Sequence, residues 1–177
     1  MLKGKLTQLR ALEPSDLEIL YKWENNIENW HLSGTLAPYS RFVIEQYLAA
    51  SHQDIYYNKQ LRLMIDKIHG EKNRTIGCID LFDIDPFHRR AGVGILIADK
   101  ENRKNGFGTE ALLLLLNYAF KKLDFHQLFA NIAADNVSSL EMFRKCGFDM
   151  VGIKKEWLNT NGSWSDECLM QIIKPEN

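Results

Sequence analysis

The sequence predicts a mixed α/β (α+β) fold, in which one mostly antiparallel central sheet of about seven strands carries helices on both faces. Three stretches carry that expectation. Ala91 to Phe120 runs as a short apolar strand, a glycine-containing loop and an amphipathic helix, a β-α step in the middle of the chain. Leu61 to Ala98 holds three strand-like segments broken by turn signals, the pattern of an antiparallel meander. Met150 to Leu158 and Trp164 to Ile173 read as two strands joined at Asn159-Thr160-Asn161-Gly162, a hairpin that closes the sheet.

Taken in order, Leu6 to Leu12 reads as a first strand that Pro14 ends. Ser15 and Glu18 have capping-box spacing, so a helix starts there and runs to Asn25. Asn26 to Tyr39, with Trp30, His31, Gly34 and Pro38, reads as irregular. Ser40 then caps a helix over Arg41 to Ala50, with Phe42, Val43, Tyr47 and Leu48 inward. The meander strands are Leu61 to Ile68, Thr75 to Ile84 and Ala91 to Ala98, separated by His69 to Asn73 and by Asp85 to Arg90. Thr109 opens a helix whose Leu112, Leu115, Leu116, Ala119, Phe120 and Leu123 recur at spacings of three and four. A strand over Gln127 to Ala133 and a short helix over Val137 to Lys145 follow, with Gly147 just past the helix end.

The 177 residues suit a single domain, 1–177. A chain of that size buries roughly 70% of its unfolded surface. The formal net charge of -1 gives no global field toward nucleic acid or an anionic membrane. Cys78, Cys146 and Cys168 are too scattered for a disulfide framework or a metal site, which fits reduced thiols in a cytoplasmic protein. Met1 to Arg10 is polar and alternating, so no secretory leader is expected, and no apolar run approaches the ~18 residues a membrane span needs. The five histidines lack metal-ligand spacing, and no metal is expected. Oligomeric state is left open, a homo-oligomer included.

Arg103, Lys104, Asn105, Gly106, Phe107 and Gly108 lead into the Thr109 helix. Unpaired N–H groups and the helix dipole there favour an anion, and the two glycines allow close approach of a phosphate. A P-loop needs Lys and Ser or Thr after the second glycine, and Thr109-Glu110 stands there instead. Gly106-x-Gly108-x-x-Ala111 matches the dinucleotide fingerprint, which keeps a small NAD-binding oxidoreductase as a remote alternative. The gap between Ile97 and Gly106 is too long for it.

Arg103-x-x-Gly106-x-Gly108 resembles the acetyl-CoA signature of the GNAT family of N-acetyltransferases. Asn136-x-x-Ser139-x-x-x-Phe143-x-x-x-Gly147-Phe148 resembles that family's second motif, in the right order. The stretches HRRAGVGI and GFDMVGI are similar to the branch holding spermidine N-acetyltransferases and ribosomal-protein N-terminal acetyltransferases. The resemblance implies a GNAT-like fold and transfer of an acetyl group from acetyl-CoA directly to a primary amine, of a polyamine-like small molecule or a protein N-terminus. It implies that Ile95, Leu96 and Ile97 hold the thioester and pantetheine through their backbone, with Leu96 as oxyanion donor. It also implies cofactor contacts from the 103–109 loop, Asn136, Ser139 and Phe143, and an acceptor wall built from the early helices. A helix cap is the plainer role for Asn136.

An alkylammonium has a pKa near 10, so transfer calls for a base. Asp80 and Asp83 are the candidates. Period-2 alternation puts Asp83 and Asp85 on one face and Asp80 on the other, where partial burial would raise its pKa. The plainer reading is solvated acids, or partners of Arg89 or Arg90. Glu24 and Glu28 could attract a cationic amine, and Trp30 and Tyr39 could line its pocket or simply be core. Phe143 stands where many family members carry a proton-donating Tyr, and Gly92 where polyamine acetyltransferases tend to carry an acid. Phe143 therefore motivates a second alternative, a non-catalytic acyl-CoA or polyamine sensor.

Overall fold

The computed structural model describes residues 2–33, 35–69, 73–160 and 162–175. The expected turn residues Gly34, Gly70, Glu71, Lys72 and Asn161 lie outside them. The strands are β1 (Leu2–Lys3), β2 (Thr7–Arg10), β3 (Gln60–Lys67), β4 (Arg74–Asp85), β5 (Arg90–Ile97), β6 (Gln127–Ala133), β7 (Asp149–Thr160) and β8 (Ser163–Ile173). The helices are α1 (Leu17–Glu24), α2 (Ile27–Ser33), α3 (Arg41–Ala50), α4 (Ile55–Asn58), α5 (Phe107–Lys121) and α6 (Val137–Lys145). One eight-stranded sheet runs in the order β1-β2-β3-β4-β5-β6-β8-β7. Among the described residues every pairing is antiparallel except β5 with β6, which are parallel and joined by the α5 crossover.

Strand alternation sorts the core onto the two faces. Leu63, Ile65, Ile79, Leu81 and Val93 meet Leu112 and Leu115 of α5 and Leu140 of α6. The next residues along the same strands, Met64 and Cys78, meet Leu20 and Trp23 of α1 and Ile44 of α3. Full burial of each such aliphatic side chain contributes about 1.5–3 kcal/mol, so the helical stripes dock firmly on their own faces.

Several expectations change. The 26–39 stretch contains α2, and Asn25 at the end of α1 ties the loop after it. The first helical turn near Pro14 is a 3-10 turn whose capping box is formed by Glu13 and Asp16, in place of Ser15 and Glu18. Phe42 and Val43 are exposed and Ile44 is the buried residue of α3, so the inward stripe is shifted. Helix α5 begins at Phe107, two residues before Thr109. Ser40 does cap α3, accepting the Val43 N–H at 3.2 Å.

Candidate active site

Between β5 and β6 the sheet comes apart. The two strands pair only through Arg90–Gly92 with Gln127–Phe129, whereas β5 stays paired with β4 as far as Ile97. From Val93 onward one edge of β5 is therefore free. Ladder phase decides which residues serve that edge. The Ala98 N–H donates to Ile76 O at 3.0 Å, so Ala98, Leu96 and Gly94 point their backbone groups toward β4. Val93, Ile95 and Ile97 point theirs into the gap, and the Arg103 Nε–H meets Ile97 O there at 2.9 Å. Leu96, expected as the oxyanion donor, has its N–H turned the other way.

The gap opens into a cavity of about 720 Å³ walled by Ile95, Leu96, Ile97, Arg103, Lys104, Gly106, Gly108, Thr109, Asn136 and Ser139, all expected, and by Asn102, Ser138, Glu141, Met142 and Lys145, which were not. That volume suits a large ligand. At its floor α5 begins, with Gly106 at φ 82 as N-cap, a left-handed conformation that glycine adopts without strain. The first helical hydrogen bond runs from Glu110 N–H to Gly106 O, which leaves the N–H groups of Phe107, Gly108 and Thr109 without a helical partner. A side chain at Gly108 would meet Met142 Sδ at 3.0 Å, so the bare backbone lets the helix start press against α6. Arg103, Lys104 and Lys145 against the single carboxylate of Glu141 leave the wall positive.

Three further expected residues take other roles. Asn105 is outside the wall; its Nδ2 donates to Glu101 O at 2.9 Å and Arg103 O at 3.2 Å, which shapes the loop. Phe107 is buried in the core under the Lys67 ammonium, 5.0 Å from the ring centroid, and is absent from the wall. Phe143 is 2% exposed and packs edge-on to Phe148 at 4.9 Å, again outside the wall. Asn136 caps α6, accepting the Ser139 N–H at 3.2 Å, and still lines the cavity.

On the opposite sheet face, Asp80 is held in an ion pair. Both its oxygens accept from Arg62, at 2.7 and 2.9 Å, and Arg62 also donates to Glu24 Oε1 at 2.6 Å. Asp83 is exposed at φ 49 in the bulge between Phe82 and Asp85, which breaks the expected alternation. Asp85, not Asp80, pairs with Arg90, and Arg89 pairs with Asp124. Glu28 pairs with Lys100, the Trp30 indole N–H donates to Glu24 O at 2.9 Å, and the Tyr39 N–H donates to Asn25 Oδ1 at 2.8 Å. The first two contacts tie α2 to its neighbours, and the third ties the following loop to the end of α1. Burial pushes the Cys78 thiol up to about 12, so it is no nucleophile. Cys146, also raised by burial, is equally inert.

The free strand edge, the unpartnered helix N-terminus and the positive wall fit a phosphate-bearing thioester. The buried Asn102 Nδ2 at the same wall has no hydrogen-bond partner, an orphaned donor that such a ligand could satisfy. The long connection from Ile97 to Gly106, which holds a 3-10 turn at Lys100–Asn102, does not fit the dinucleotide alternative, whose glycines follow the strand directly. Fold and site together define an acyl-CoA-dependent transferase.

Comparison with known proteins makes that specific. The family model for the acetyltransferase (GNAT) domain matches residues 7–149, and the chain belongs to that family. A spermidine N(1)-acetyltransferase of Vibrio cholerae is 30% identical over 94% of this chain and 92% of its own. A probable N-acetyltransferase of Bacillus subtilis, YjcK, is 28% identical over 100% and 99% of the two chains. The crystal structure of the Vibrio cholerae spermidine N-acetyltransferase in complex with CoA and spermine superposes with a TM-score of 0.83, at 27% identity over 97% of each chain. This chain is an acetyl-CoA-dependent N-acetyltransferase. Among the described residues no group of three or more His, Cys, Asp or Glu side chains could hold a metal ion.

Proposed function

We propose that this enzyme acetylates a primary amine of a small polyamine-like cation by direct transfer from acetyl-CoA. The observation that carries the reading is the Glu24–Arg62–Asp80 cluster beside Gly94, two carboxylates on one guanidinium. Its net negative charge draws a cationic amine to the sheet face next to the free edge of β5. The relatives named for spermidine support the same choice of acceptor.

Acetyl-CoA supplies the activated acetyl group. The N–H of Ile95 is the donor that faces the thioester oxygen, and those of Val93 and Ile97 continue the same edge. Asp80, through a water, takes the proton of the ammonium, so that the neutral amine forms the new N–C bond as the C–S bond breaks. A thiolate of pKa near 8.5 leaves without a dedicated acid and is protonated by solvent, so Phe143 is no obstacle to turnover. The exposed Asp83 takes no part, and among the expected acceptor residues Glu24 alone belongs to the charge cluster. Close placement of amine and thioester supplies much of the rate, up to about 7–11 kcal/mol for well-held reactants. We place the activity in the cytoplasm, a compartment that the free, buried cysteines support, and assign no metal, nucleic acid or membrane partner.

The test is a thiol-release screen with acetyl-CoA over spermidine, spermine, an amino sugar and a peptide with a free N-terminus. Turnover of the polyamines is expected. Turnover of the peptide alone would overturn the acceptor assignment and leave the acetyltransferase standing.

A further inference from the structure

Glu110 lies in the first turn of α5, the turn whose unpartnered N–H groups face the cavity, yet its carboxylate points elsewhere. It accepts the N–H groups of Lys5, Leu6 and Thr7 at 2.9, 2.8 and 2.6 Å, and the Thr7 hydroxyl at 2.8 Å. These four bonds join residues more than a hundred positions apart. The turn that makes them is closed by Gly4 N–H to Thr7 O at 2.8 Å, and a side chain at Gly4 would lie 2.5 Å from the Glu110 carboxyl carbon. Leu6 lies against Gly106, 3.5 Å from where a Cβ would stand. The Lys67 ammonium, on the strand that pairs with Thr7, sits over the Phe107 ring. Gly106, Gly108 and Thr109 form the cavity floor, and Phe107 and Glu110, between and after them, are absent from it. The first turn is gripped from behind while its other side stays bare.

From this geometry we infer that Glu110 is a positioning residue for the phosphate-binding turn, and that the 4–7 segment is part of the cofactor site although it lines no part of the cavity. The inference rests on the acetyl-CoA reading of that cavity. A free carboxylate in this turn would compete with phosphate for the positive helix end. Saturated by four donors on the far side, it instead fixes the orientation of the three open N–H groups. Orientation is what a phosphate oxygen senses, because hydrogen bonds weaken steeply as they bend.

The experiment compares acetyl-CoA with acetyl-pantetheine, which keeps the thioester and loses the nucleotide phosphates, on wild type, Glu110→Ala and Thr7→Val. Affinity is read by calorimetry, and kcat and KM with the better polyamine acceptor. Glu110→Ala is expected to weaken acetyl-CoA about tenfold and Thr7→Val about threefold, with kcat at saturation and the response to acetyl-pantetheine unchanged. An equal loss with both donors would reduce Glu110 to general stability and overturn the inference, as would unchanged acetyl-CoA affinity. Thr7→Val, which removes one hydroxyl from a strand, carries the test if Glu110→Ala does not fold. A wild type that binds the two donors equally would overturn the phosphate reading of the cavity itself, a separate failure.

Discussion

Asp80 stands directly across the ladder from Gly94, and a side chain at Gly94 would come only to 4.0 Å of the Asp80 Cβ and 3.8 Å of Phe82. The missing side chain keeps the strand backbone bare between the carboxylate and the free edge of β5, where Val93 and Ile95 on either side of Gly94 face the gap. Arg62 and Glu24 hold the carboxylate in place from the other side. Asp80→Asn keeps the shape and removes the charge and the proton acceptor. It should lower kcat about 100-fold at saturating acetyl-CoA and leave KM for acetyl-CoA unchanged. Steady-state rates at saturating polyamine and acetyl-CoA check this. A variant with wild-type kcat would eliminate Asp80 as the base.

Asn102 makes an opposite pair of demands. Its Nδ2 is buried with no partner, and an unsatisfied donor costs about 1–3 kcal/mol in the ligand-free protein. Asn102→Leu removes that cost at similar volume. The free protein should melt higher by a few degrees while acetyl-CoA affinity falls, so that the ligand-induced rise in Tm shrinks. Thermal melts with and without acetyl-CoA measure both signs. A parallel fall in both would mean that Asn102 serves packing alone.

Gly92 is explained by Phe82. The ring lies so close that a Cβ at position 92 would be 2.4 Å from it, and the same ring meets Phe129 edge-on at 5.8 Å. An acid at this position, as the resembled polyamine acetyltransferases tend to carry, has no room here. Gly92→Ala should cost about 1–3 kcal/mol through overpacking, and Phe82→Leu in the same chain should recover most of it. Urea unfolding of the two single variants and the double variant gives the coupling. Additive costs would show that Phe82 is not what excludes the side chain.

What could be read from the sequence was local. Gly106 and Gly108 before a periodic helix, and Asn136 three residues before Ser139, are short-range signals that survive without tertiary knowledge, and they located the cavity. Ser138, Glu141, Met142 and Lys145 were legible in principle, since the last three follow Ser138 at spacings of three, four and seven on α6. The direction of the Leu96 N–H was not, because it depends on the phase of hydrogen bonding with β4 rather than on any side-chain pattern. The partner of Asp80 was equally hidden: Arg62 is set opposite by strand register. Helix α2 escaped because its stretch is rich in Asn with Gly and Pro close behind, and helix propensity alone does not reveal a segment held by its neighbours.

The same long-range contacts set the response to acid. Burial raises the Asp16 carboxyl, but donation from Arg10 and from the Glu13 N–H outweighs it and holds the group below its ordinary value of 3.8. Burial likewise opposes the Glu110 charge, and donation from Lys5, Thr7 and Leu6 holds it below 4.5. Both pKa values are depressed in the folded protein, so the unfolded chain binds more protons in acid. The stability these groups contribute is complete above the ordinary carboxylate values and is lost as pH falls through the depressed ones. Urea midpoints should therefore be insensitive to these groups from about pH 6 to pH 8 and drop below about pH 4.5. Glu110→Gln, which has no charge to lose, should be less stable at neutral pH and show a shallower acid slope, converging on wild type at the lowest pH. An unchanged slope would mean that the four-donor contact exists equally in the unfolded chain or contributes nothing, and that Glu110 does not anchor the N-terminal turn.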